Sequence, residues 1–374
     1  MGNSVKGNSG QPITSRGRIF LVIWALAIVL FYSFAGFQLS SQVYQYKMDA
    51  LAQHQSGLDA DRTGPSSPSL EESSPEGDGP VDVQTGVFVD RIADLSIKDS
   101  RWVADFYIWF KWAGDRVNPG ANLQVVDGDI QSISRQWEWT DGQELYEVYQ
   151  VVASITKSFN ITRFPCDDHL LTIRIEDQVN DSIELRYVPD ARNSGISSGI
   201  RVPGFEIRQA SSEVRLDGYQ TNFGIPKQDS ESTTPYSQFT YNIWIVRPGW
   251  GLFLKIFQGL FIAVAVSLLA FFILPIRDSP RFGLGLGALF AAVANSYIVI
   301  SSQPTTGIVT MADMVSGIGI ITVFLTLVQS TISLYIYDQR GERSLSRLFD
   351  LTSLGIILVG YTALNWCVLQ AASI

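Results

Sequence analysis

Chemistry has few places to start in this sequence. His54 and His169 are its only histidines, Cys166 and Cys367 its only cysteines, and no spacing pairs a histidine with a cysteine. A GxSxG turn, a metal-ligand helix and a phosphate loop are all absent. An acid–base site would have to rest on carboxylates alone, so the expectation is no enzyme, no metal and no cofactor. The histidines are expected in packed or solvated structural roles. A disulfide would need its Cα atoms within ~7 Å. Cys166 lies in a stretch of β pattern and Cys367 in an apolar segment, so no bridge is expected. One short motif stands out, Phe164-Pro165-Cys166-Asp167, about 50 residues after Trp112-Ala113-Gly114-Asp115-Arg116.

The elements that would carry these residues come in two kinds, and the charges divide with them. Residues 40–249 hold 31 acids and 18 bases, a net −13, within a chain of net −9. An acidic domain of that kind repels polyanions, which argues against nucleic acid as a partner. Outside it lie five apolar stretches, 19–37, 256–274, 282–300, 314–336 and 351–369, none with an acidic or basic residue. About 20 apolar residues in a helix cross ~30 Å of hydrocarbon. Lys6, Arg16, Arg18, Arg277, Arg281, Arg340, Arg343 and Arg347 all fall on one side if the N-terminus is cytoplasmic and residues 40–249 are outside. The stretch 19–55 reads as an uncleaved anchor after a cytoplasmic 1–18. A cleavable signal peptide with Ser33 and Ala35 at the cleavage site is the other reading. Residues 56–80, dense in Ser, Pro, Gly and acid, read as a disordered linker.

Residues 81–247 follow period two. Trp102, Ala104, Phe106, Ile108, Phe110 and Trp112 share one face of a strand. The stretches 145–155, 170–176, 183–188 and 238–246 are further strands, and Asp127-Gly128 and Asp141-Gly142 read as hairpin turns. Helical runs are lacking, which gives an antiparallel two-sheet sandwich. An Arg247-Pro248 step leads from it into residues 248–374, with helices expected at 251–274, 282–301, 311–337 and 347–371.

With FPCD ahead of four clustered spans, the chain resembles the Cys-loop receptor superfamily, specifically its prokaryotic pentameric ligand-gated ion channels. The resemblance covers residues 85–371. FPCD resembles the family's FPxD turn, Arg247 the arginine before the first pore helix, and Pro304 the proline between the second and third helices. The two loop cysteines are absent, as in prokaryotic members. The family's Trp-x-Pro segment is not found, and the N-terminal span is extra. The fold implied is membrane α + β, in which an extracytoplasmic antiparallel β-sandwich of ligand-binding-domain type precedes a four-helix transmembrane bundle.

The resemblance implies a homopentamer of identical subunits in a bacterial inner membrane, passing ions along a pore lined by 282–301. Counting back from Pro304, the lining positions are Gly283, Gly287, Phe290, Ala294, Tyr297 and Ser301, spaced four, three, four, three and four. Phe290 and Tyr297 would form apolar rings able to close a pore by dewetting. Gating would pass through Asp99, Phe164, Pro165, Asp167, Arg247 and Pro304. The agonist, a small molecule or a proton, would sit near Tyr219, Phe223 and Tyr236, where aromatic rings suit a cationic amine. The stretch Arg277-Asp278-Ser279-Pro280-Arg281 offers both signs of charge at the inner mouth. A non-conducting sensor of the same fold is the alternative.

Overall fold

The structure, a computed structural model, describes residues 14–58, 79–219, 234–275 and 278–373. The chain divides into two compact units. One comprises residues 1–49, 161–167 and 249–374, the other 50–160 and 168–248. The expected boundaries shift accordingly. FPCD groups with the helices, and the last turns of the first helix group with the strands.

Among the described residues the β unit holds ten strands. These are β1 (Val81–Ser96), β2 (Arg101–Ala113), β3 (Leu123–Val125), β4 (Gly128–Asp141), β5 (Glu144–Thr156), β6 (Asp168–Asp177), β7 (Leu185–Pro189), β8 (Gly195–Ile196), β9 (Glu206–Tyr219) and β10 (Thr234–Val246). They form two sheets. The first runs β4-β5-β2-β1-β7 with β8 also on β1, and the second runs β3-β6-β10-β9. Pairing is antiparallel except where β7 and β8 run parallel to β1. The predicted apolar face of β2 is buried in full, from Trp102 to Trp112. In the second sheet Leu171, Ile173 and Ile175 of β6 and Phe239, Tyr241 and Ile243 of β10 are buried on one face.

The two turn signals part ways. At Asp141-Gly142 a hairpin does join β4 to β5, but its loop is Gly142-Gln143, because Asp141 pairs with Glu144. Only Gly142 has positive φ, so the turn follows the pattern with one left-handed residue first. Asp127-Gly128 is not a hairpin. Asp127 takes φ 55°, but β3 on one side pairs with β6 and β4 on the other pairs with β5, so the chain changes sheets there.

The helical unit contains most of α1 (Ser15–Leu58) and all of α2 (Gly249–Leu269), α3 (Asp278–Ser301), α4 (Met311–Asp338) and α5 (Arg343–Ala372). All five are long and apolar enough to cross a membrane, which makes this a membrane protein by composition. α4 begins with a reciprocal cap between Thr310 and Asp313. Glycines let side chains sink between helices. A Cβ at Gly285 of α3 would meet Leu327 of α4, and one at Gly319 of α4 would meet Leu260 of α2.

α1 is unbroken through Ser33 and Ala35 and docks along α4 and α5. Trp24 Nε1 donates to Ser353 Oγ at 3.0 Å, and Tyr32 OH lies 3.0 Å from Thr322 Oγ1. Phe20 and Trp24 stack on Phe349, and Gly360 leaves the room that the Tyr32 ring fills. Within the β unit, His54 at the far end of α1 sits 2.7 Å from Asp168, whose same oxygen accepts from Trp244 Nε1. His169 packs between the rings of Phe159 and Phe205.

Candidate functional site

α3 is rich in small residues and buries one row of side chains. Arg281, Gly285, Ala288, Ala292, Asn295 and Val299 are buried, one or two helical turns apart. The six predicted lining positions, Gly283, Gly287, Phe290, Ala294, Tyr297 and Ser301, are all exposed. Phe290 is 76% and Tyr297 71% exposed, the highest values among the large apolar side chains of this helix. Cβ atoms at Gly283 or Gly287 would meet nothing within 4 Å. A stripe of six positions is thus left exposed by the subunit's own packing, and none of the six carries a charge.

The charge at the start of α3 is spent elsewhere. Arg281 is 1% exposed and points to the buried face. Its guanidinium makes a two-pronged pair with Asp350 of α5, at 3.0 and 2.7 Å, and reaches Ile273 O at 3.4 Å. The prediction that Arg281 offers charge at an inner mouth therefore needs correction. The residue is a tie between α3 and α5. Arg277 lies outside the described residues.

The turn 161–167 is held by helix ends of its own unit. Met311 N at the start of α4 donates to Thr162 O at 2.8 Å, and Arg163 Nη1 donates to Ala372 O at the end of α5 at 3.2 Å. Phe164, Cys166 and Asp167 are buried, and the Phe164–Pro165 peptide is cis. Burial pushes the Arg163 guanidinium down, and Asp167 pushes it back up. Pro304 is half-buried in the link between α3 and α4. Thr162 and Arg163 were not among the predicted residues. Their signal was adjacency to the motif.

The remaining predicted residues scatter. Asp99 closes the turn after β1, its carboxylate accepting from Ser96 Oγ at 2.6 Å, which is an ordinary turn role. Arg247 lays its guanidinium over the Phe205 ring at 4.1 Å. Tyr219 and Tyr236 do come together, edge to face with centroids 5.7 Å apart. Tyr219 OH donates to the buried Glu176 at 2.8 Å, and Gln238 donates to the same carboxylate. Burial first and Glu176 second push the Tyr219 phenol up, and burial first and Asp181 second push the Tyr236 phenol up. Phe223 lies outside the described residues. Glu176 was missed because it continues an alternating strand and looks like surface.

Among the described residues no group of three or more His, Cys, Asp or Glu is placed to hold a metal ion. Cys166 and Cys367 are not joined by a disulfide. The described residues offer a helix face with exposed aromatic rings and a buried turn tied to two helix ends. No protein-family model matches the chain, and no curated protein matches it.

Proposed function

We propose that the chain is a subunit of a homopentameric ligand-gated ion channel, with α3 of each subunit lining the pore. In this reading the two sheets form an extracytoplasmic sandwich, α2–α5 form the four-helix pore bundle, and α1 is an additional peripheral anchor with a cytoplasmic N-terminus. The observation that carries it is the face of α3. The positions spaced for a pore all fall on the side of α3 that the subunit leaves uncovered, along with Leu286, Ala291, Val293, Ile298 and Ile300, while the row from Arg281 to Val299 is covered. Phe290 and Tyr297 would be the two constrictions. The tie from Thr162 and Arg163 to α4 and α5 gives the FPCD turn a direct mechanical hold on the helices. A small cationic ligand or a proton near Tyr219 and Tyr236 is the proposed stimulus, and small ions are what would permeate.

A non-conducting sensor of the same fold is the second reading. It is favoured by one observation: the exposed stripe has no charged residue and two bulky rings. The test is electrical. Purified protein in planar bilayers is stepped through pH and a panel of small amines, alongside Phe290→Ala. Stimulus-dependent unitary currents with raised leak in the variant are expected. Silence from both, in a preparation of pentamers, leaves the sensor.

A further inference from the structure

A cavity of about 440 Å³ opens on the polar face of the second sheet, opposite its apolar side. Its floor is a row of residues across three strands, with Arg174 of β6 beside Thr240 of β10 and Thr240 beside Glu213 of β9. Each has a different state of satisfaction. The Arg174 guanidinium is taken by Asp127. Glu213 Oε1 accepts from Arg215 at 2.8 Å and from Asn242 Nδ2 at 3.1 Å, but its Oε2 is buried with no hydrogen-bond partner. Thr240 is 4% exposed, and its hydroxyl also has none.

Lys157, just past β5, lines the same cavity. Its ammonium makes no ion pair or side-chain hydrogen bond among the described residues, and burial pushes its pKa down. Burial likewise pushes the Glu213 carboxyl up. A cation and a carboxylate oxygen therefore line one cavity without touching. Both bear the cost of partial desolvation; Arg215 and Asn242 offset it on Glu213 Oε1, but Oε2 and the Lys157 ammonium lack the compensation that contact would supply. Ordinary packing closes such a gap. Here the strand register holds Glu213 in its row, and the β5 end holds Lys157 outside it.

We propose that this cavity binds a small free amino acid, its carboxylate on Lys157 and its ammonium on Glu213 Oε2 and Thr240 Oγ1. A zwitterion satisfies all three groups at once, and a ligand of one charge leaves one end unpaired. The volume lies toward the lower end of the ~300–1,000 Å³ common for small-ligand pockets. Neither Tyr219 nor Tyr236 lines the cavity, and the proposal does not rest on ion conduction.

The test is calorimetric binding to the full chain in detergent, with the standard free L-amino acids as probes and acetate and methylammonium as single-ended controls. At least one amino acid should bind, at least about tenfold tighter than either control, since a charge-assisted contact is worth ~1.5–3 kcal/mol. Lys157→Met and Glu213→Gln should each lose about that factor, and Lys157→Arg should retain binding. Thr240→Val, the mildest change in shape, should also weaken it, which guards against misfolding of the charge variants. Binding of acetate as tight as that of any amino acid would reduce the cavity to a plain anion site and overturn the proposal. So would binding unaffected by all three variants, or no amino acid bound at millimolar concentration.

Discussion

Arg281 and Asp350 sit at the ends of two apolar helices, and each lies one residue outside an apolar stretch of the sequence. A reading by flanks puts both in water. The structure turns both inward, because 281 continues the buried row of 285, 288 and 292. Breaking such a buried pair strands a charge, at about 3–5 kcal/mol, whereas replacing both partners with apolar groups is often neutral. Asp350→Ala should therefore lower the denaturation midpoint of the detergent-solubilised protein sharply, and Arg281→Met with Asp350→Leu should recover most of it. An equal loss in the single and double variants would mean that the pair contributes little. Lys157 makes the converse case. Its pKa is depressed by burial, so the folded state is penalised wherever the amine must stay charged. The penalty is present below the depressed value and vanishes above the unfolded value of ~10.4. Lys157→Met should raise the unfolding temperature at neutral pH, and the gain should fade as pH passes ~10. A gain independent of pH would point to packing instead. At this scale the sequence shows what a residue is but not whether it is satisfied. The FPCD motif was legible from four adjacent letters, whereas the pairing of Glu176 with Tyr219 depends on strands that meet only in the fold.

Elements were legible where burial imposed a period. β2 is covered on one whole face, so its alternation survives into the sequence, and the same holds for β5, β6 and β10. β4 has only exposed or half-buried residues, and two register shifts, at Ile130/Ser132 and Arg135/Trp137, move its apolar residues out of phase. β1 has similar shifts at Val89/Arg91 and Ile92/Asp94, so its period of two survives only ahead of them, at Val81, Val83, Val87 and Val89. In β9 the apolar Ala210, Val214 and Leu216 are outnumbered by polar residues, and the period is weak. Helices are the reverse case. All five apolar stretches became helices, but apolar composition all round hides which face packs. The docking of α1 on α5 depends on Gly360, where a Cβ would come within 2.8 Å of the Tyr32 ring. Gly360→Leu should lever the two helices apart. With Gly36→Cys and Leu364→Cys in a background free of other cysteines, the Gly36 position lies 3.8 Å from the Leu364 side chain, close enough for oxidation to cross-link them. Cross-linking should drop several-fold when Gly360→Leu is added. An unchanged yield would show that the Gly360–Tyr32 contact does not set the docking of α1.

The distribution of charge over the whole molecule sets what a pore made from it would pass. The stripe Gly283, Gly287, Phe290, Ala294, Tyr297 and Ser301 contributes no charge, and Arg281 is turned away and neutralised by Asp350. Beyond Arg281, α3 therefore supplies no local ring of charge, the usual source of selectivity. What is left is the field of residues 40–249, with a net −13. In the proposed channel a field of that sign would concentrate cations at the outer entrance and deplete anions. It acts at range, so salt weakens it: the Debye length falls from ~10 Å at 0.1 M to ~3 Å at 1 M. A channel selected by a ring inside a narrow, dry pore would keep its preference in high salt, because buried charges are poorly screened. The channel proposed here should lose it. Under a tenfold salt gradient the reversal potential should lie on the cation side at low absolute salt. It should move toward zero when both solutions are raised tenfold at the same ratio. A reversal potential that stays cation-selective at high salt would place the filter in a local ring of carboxylates. One on the anion side would assign selectivity to bases near the helix start, with Arg277 the first to neutralise.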